Sequence, residues 1–343
     1  MSNRIDRRTM VQGSIGAALL TGLVGRAASA ETATPGTSPS PEGDVRVVAA
    51  ANGDIEITGT PERVVLMEYE LVENGVILGL EPVGVCERDS INQWVPLPEP
   101  LSESIVDLGA RDEPDLETMI ELQPDLIIAA KPRQDEVLDR LEAIAPTVQL
   151  ETYSPFFAPT DGTTPIENFQ HVLMQVAQAT NREAAAEAAI QDFDSLLESA
   201  VAAVAETDNA GKPFVFAGQF PDMASVTLFN DHSRIAYVVS QLGLVNQAGE
   251  NEETPGLHYQ ELSIEQLGTA LSADTLFFVS QSVATADEMN EFFAGEVWQA
   301  MPFVKAGNFI NLGLPNVWSA GSAITLSNLI GRVVDALGGQ LDA

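Results

Sequence analysis

Apolar runs of strand length alternate along this chain with segments of helical period. Residues 63–67 form an apolar run after Pro61, 71–78 a helical stretch, and 83–86 a second apolar run. The prolines of residues 92–98 predict an irregular loop that carries Trp94. Asp115 then opens a short helix as its N-cap, with Glu117 at the second helical position, a Pro124-Asp125 turn and a buried strand from Leu126. Residues 136–144 place Leu138, Leu141 and Ile144 on one helical face, and 169–179 form a further helix. Residues 183–205, rich in Ala, Glu and Leu and free of Gly and Pro, predict one long helix. A strand at 214–217 and a helix at 323–337 complete the second half.

The pattern repeats. Ser263 opens a helix with Glu265 at its second position, a turn at 272–274 and an apolar strand at 275–279, the same order as the unit begun by Asp115. Ser263 and Gln266 form a capping-box pair. Residues 77–84 likewise resemble 241–246. The expected architecture is two Rossmann-like α/β lobes, residues 45–180 and 211–343, joined by a single long bridging helix within 181–210. A cleft between two lobes is a natural small-ligand site. A helix bends less readily than a loop hinge, so modest closure is expected.

Charge narrows the partners. The 343 residues hold 50 acidic and 16 basic side chains, a net charge of -34, and the lysines are Lys131, Lys212 and Lys305. Such a surface repels nucleic acid and anionic membrane. The single cysteine, Cys86, lies in an apolar strand and reads as a buried inert thiol.

Arg7-Arg8, a weakly apolar Gly/Ala-rich run at 11–24 and Ala28-Ser29-Ala30 describe a twin-arginine signal, residues 1–30, cleaved after Ala30. The run is too short and Gly-rich for a membrane span, and no cysteine follows it to carry a lipid anchor. Residues 31–44, rich in Pro, Ser and Thr, predict a disordered linker. Cleavage removes Arg4, Arg7, Arg8, Arg26 and Asp6, so 12 bases against 49 acids leave a mature charge of -37. An exported, periplasmic or otherwise extracytoplasmic protein is expected.

Enzyme chemistry finds little support. The chain has no Gly-rich phosphate loop, no G-x-S-x-G elbow and no H-E-x-x-H pair. His171, His232 and His258 share no ligand spacing, so no metal site and no catalytic residue is assigned.

Four stretches resemble the substrate-binding proteins of iron–siderophore ABC importers, most closely the periplasmic ferric-hydroxamate binding type. They are residues 61–85, the segment 107–117 (Asp-Leu-Gly-Ala-Arg-Asp-Glu-Pro-Asp-Leu-Glu), residues 143–148, and residues 298–307 with 317–321. The resemblance covers nearly all of the mature chain. It implies a helical-backbone periplasmic binding protein that captures an iron(III)–siderophore and delivers it, as a monomer, to a permease and its ATPase. No cofactor is implied, since the siderophore fills the coordination sphere of iron.

The same resemblance places the ligand-contacting arginine at Arg111, whose fork suits the oxygens around chelated iron. Pocket aromatics fall on Tyr69, Trp94 and Trp318. Leu257, His258 and Tyr259 stand where the family has a tryptophan, and a first-lobe pocket tyrosine gives way to a loop with Lys131 and Arg133. Together with Arg111 these cations predict a more cationic pocket, in which an anionic ferric carboxylate rivals a hydroxamate. Glu117 and Glu265, one per lobe, are the implied permease-docking residues; they also favour the dipoles of their helices. Rival readings are a binding protein for cobalamin, haem or a bare metal ion, and a metal-dependent periplasmic enzyme on the same scaffold.

Overall fold

The computed structural model describes residues 44–152, 163–218, 225–249, 257–280, 291–313 and 321–341. The signal segment, the linker as far as residue 43, and Trp318 lie outside them.

An antiparallel hairpin, β1 (Val45–Ala50) and β2 (Gly53–Thr58), leads into the first lobe. Its sheet is wholly parallel: β3 (Val64–Leu66), β4 (Gly84–Val85), β5 (Val106–Asp107), β6 (Leu126–Ala130) and β7 (Thr147–Leu150), ordered β5-β4-β3-β6-β7. The strands β3, β6 and β7 are apolar or buried at every position, as a sheet covered on both faces requires. The covering helices are α1 (Tyr69–Ile77), α2 (Arg88–Trp94), α3 (Leu116–Leu122), a 3-10 turn (Asp135–Val137) running into α4 (Leu138–Glu142), and α5 (Pro165–Thr180).

The long helix α6 spans Glu183–Ala205, the range its composition predicts. Beyond it come β8 (Pro213–Gly218), β9 (Ser225–Phe229), α7 (Arg234–Gln241), β10 (Val245–Asn246), β11 (Tyr259–Ser263), α8 (Ile264–Ala270) and β12 (Leu276–Val279). Helices α9 (Glu296–Gln299) and α10 (Pro302–Lys305), strand β13 (Phe309–Asn311) and helix α11 (Ala323–Ala336) close the lobe.

The internal repeat is visible in the sheets. In the first lobe β4, β3, β6 and β7 lie side by side; in the second β10, β8, β12 and β13 do the same, all parallel. The repeated helices α3 and α8 feed the equivalent strands β6 and β12. Asp115 accepts from Thr118 N–H at 3.0 Å, and Ser263 and Gln266 complete the reciprocal capping box. The lobes differ at one edge. Beyond its pairing with β10, β8 continues into an antiparallel pairing with β9, which pairs in turn with β11.

Two local expectations change. Trp94 does not sit in a loop: the chain stays helical through α2, and Trp94 is its last residue, half-buried against the first-lobe core. Pro96 and Pro98 stop the helix only afterwards, since a proline disfavours helix in the residue before it but not further back. The helix expected at 136–144 begins as a 3-10 turn and is α-helical only over α4. Cys86 is buried, and burial with the nearby Glu68 and Glu87 carboxylates pushes its thiol up to about 12. Among the described residues no helix is long and apolar enough to cross a membrane.

Candidate ligand-binding site

Parallel sheets present a rim at the carboxyl ends of their strands, and ligands favour the point where the strand order reverses. In the first lobe the chain steps from β3 outward through β4 to β5, then returns to the other side of β3 for β6. The residues that follow these strands are Glu68 after β3, Glu87 after β4, Arg111 after β5, and Lys131 and Arg133 after β6. The structure joins four of them in one network across the reversal point.

Glu68 is its hub. One carboxylate oxygen accepts from Arg111 Nη1 at 2.5 Å and from Tyr69 N–H at 2.9 Å; the other accepts from Arg133 Nε at 2.6 Å. Glu87 accepts from Arg111 Nε at 3.1 Å, from Arg111 N–H at 3.3 Å and from the Tyr69 hydroxyl at 2.5 Å. Arg133 also donates to the exposed Asp112 at 3.0 Å. Burial is the largest influence on Arg111 and works against its charge, but Glu68, Tyr69 and Glu87 together outweigh it and hold the guanidinium more firmly protonated than usual. The Arg111 side chain remains 16% exposed.

Tyr69 is fully buried, and the Arg111 guanidinium lies 3.9 Å above its ring centroid. Its ring therefore supports Arg111 instead of offering an open face to a ligand, which corrects the expectation of a stacking aromatic there. Burial and the bond to Glu87 push the Tyr69 phenol well above its usual value, so it stays a donor. Trp94 packs edge-on to Tyr69, with centroids 6.3 Å apart. Gln134, wholly buried, fixes the loop: its Oε1 accepts from Ala130 N–H at 2.7 Å while its Nε2 donates to Arg111 O at 3.0 Å.

Other expected residues stand apart. Lys131 faces Glu151 at 3.9 Å in a well-exposed pair worth little. Tyr259 lies on β11, half-buried against the second-lobe core and edge-on to Phe229. Glu117 and Glu265 are exposed at the second positions of α3 and α8, one on each lobe. Among the described residues no group of His, Cys, Asp and Glu side chains is arranged to hold a metal ion.

Sequence reasoning missed Glu68, Glu87 and Gln134. A signal for the first two existed: each is the first charged residue after an apolar strand, where a parallel sheet places its rim. It missed as well the seam between the lobes. There α1 of the first lobe carries three buried polar side chains into the second. Glu70 lies 3.0 Å from Arg234 Nη1, Glu73 accepts from Thr325 N–H at 2.7 Å and from its hydroxyl at 3.0 Å, and Asn74 accepts from Ser322.

Residues 64–314 match the periplasmic binding protein family. The iron(3+)-hydroxamate-binding protein FhuD of Escherichia coli is 28% identical over 82% of this chain and 88% of its own. The Fe(3+)-citrate-binding protein YfmC of Bacillus subtilis is 26% identical over 84% and 85%. The crystal structure of the siderophore-binding protein FhuD from Vibrio cholerae, bound to Fe3+-Desferal, superposes with a TM-score of 0.67 at 27% identity, covering 80% of this chain and 97% of that one. With two α/β lobes, one long helix between them and a match across most of its length, the chain belongs to the periplasmic binding protein family.

Proposed function

We propose that this protein binds an iron(III)–siderophore in the cleft between its lobes and delivers it to an ABC importer. The observation that carries this reading is the Arg111–Glu68–Arg133 network at the carboxyl rim of the first sheet, in a chain whose relatives bind ferric hydroxamate and ferric citrate. Arg111 donates to the oxygens around the iron, and Trp94 contributes an apolar wall beside it. Trp318 and Tyr259 belong to the same reading from the second lobe. Iron enters as cargo already chelated, so no protein ligand set for it is needed. Export follows the twin-arginine route with cleavage after Ala30, and Glu117 and Glu265 dock the permease.

Titration of the cleaved protein with ferric hydroxamates, ferric citrate, haem and cobalamin, read by quenching of tryptophan fluorescence, tests the reading. Saturable quenching by a ferric chelate is expected, weakened roughly tenfold or more in Arg111→Ala through loss of charge-assisted hydrogen bonds. Saturation by haem or cobalamin alone would replace it.

A further inference from the structure

The rim carries less positive charge than its arginines imply. Arg111 and Arg133 face Glu68, Glu87 and Asp112, so two guanidiniums stand against three carboxylates and one net negative charge remains. Lys131 is offset by Glu151. An anionic ligand meets that net negative charge, and it could take the donors now given to Glu68 only by displacing a carboxylate that is 10% exposed and holds both arginines. Stripping a buried carboxylate of its cations is strongly unfavourable. Two of the five Arg111 N–H donors go to these carboxylates, so the remainder still serve an oxygen-rich ligand that brings no net negative charge.

Glu87 is held in place against a backbone preference. Its φ is 52°, in the left-handed region that side-chain-bearing residues seldom occupy. Such strain persists where the surroundings fix it, and it concentrates at functional positions. Here the conformation aims the carboxylate at the Arg111 side chain, the Arg111 backbone N–H and the Tyr69 hydroxyl together.

We propose that Glu87, acting with Glu68, is a specificity-determining residue that makes the rim a charge filter. It admits ferric chelates of zero or positive net charge and rejects anionic ones, the ferric carboxylates and catecholates included. This inference rests on the siderophore reading above.

A ligand series with one iron core and variable charge tests it: ferrioxamine B with its free ammonium, its neutral N-acetyl derivative and its anionic N-succinyl derivative, with ferric citrate alongside. Affinity should fall along the series by roughly tenfold per charge step, as expected for a charge held several ångströms away in a partly buried site. The whole acidic surface would favour cations too, so the series is repeated in about 1 M salt, where screening reaches roughly 3 Å. The order should survive there, narrow in Glu87→Gln, and stay unchanged in Glu187→Gln on the exposed face of α6. Equal affinities, a reversed order, an order lost in salt, a preference for citrate, or a Glu87→Gln series like the parent's would each overturn the filter while the siderophore reading stands. Binding of none of the four chelates would remove both.

Discussion

Replacing Glu73 by glutamine isolates the cost of a carboxylate sealed between the lobes. Glu73 is fully buried on α1 and accepts two hydrogen bonds from Thr325, at the start of α11. Burial dominates, and with the neighbouring Glu70 it raises the Glu73 carboxyl from 4.5 to about 7 despite the Thr325 bonds. Arg234 is the cation at the same seam, bound beside Glu70. A rise of that size corresponds to about 3 kcal/mol between the two protonation states. The folded protein holds this proton more tightly than the unfolded chain. Its contribution is therefore complete below the ordinary carboxylate range and is lost as pH rises through about 7.

Glutamine cannot ionise, so the variant lacks this loss. Urea unfolding of both proteins, at a series of pH values from about 4 to about 8, should show the parent losing about 3 kcal/mol relative to Glu73→Gln across that window. Taking the difference between the two proteins cancels the repulsion among the many surface acids, which both share. A difference that does not change with pH would refute the reasoning, because it would mean that Glu73 titrates alike in the folded and unfolded states.

Three further outcomes follow from the same structure. Arg234→Met takes the cation from beside the buried Glu70 and breaks bonds to Gly321 O and Asn168 Oδ1; a loss of about 3–5 kcal/mol in urea unfolding is expected, and a loss below about 1 kcal/mol would contradict the buried-pair argument. Glu117→Ala with Glu265→Ala should abolish siderophore-dependent iron uptake in cells while leaving the fluorescence titration unchanged; retained uptake would remove both glutamates from the docking face. The Cys86 thiol, pushed up to about 12 by burial, should stay unmodified by a thiol reagent at neutral pH until the protein is unfolded, and rapid reaction of the native protein would show that it is not sealed.

The architecture was legible because it is written locally. A capped helix, a Pro-Asp turn and an apolar strand need only neighbouring residues, so the repeat around Asp115 and Ser263 could be read and then traced to equivalent strands beside β3 and β8. Helix α6 was legible for a similar reason, as a run of good helix formers with no interruption. The antiparallel extension of β8 into β9 and β11 was not, since strand direction depends on which edge a returning segment meets. The seam was hidden too. On α1 Glu70, Glu73 and Asn74 look like the solvent face of an amphipathic helix, and only a second lobe packed on that face turns them into buried polar partners.

The site shows the same limit acting on chemistry. From sequence, Arg111, Lys131 and Arg133 add up to a cationic pocket, because their neutralising partners are distant in the chain. Glu87 lies 24 residues from Arg111, and Glu68 lies 43 residues from Arg111 and 65 from Arg133. Parallel strands bring such residues together by setting their carboxyl ends along one rim, whatever the length of the crossovers between them. Charge at a parallel-sheet rim is therefore a sum over strand ends, not over one segment. At this rim the sum over the described residues changes sign only when Glu68, Glu87, Asp112 and Glu151 are all counted against Arg111, Arg133 and Lys131, and the proposed charge filter rests on that sum.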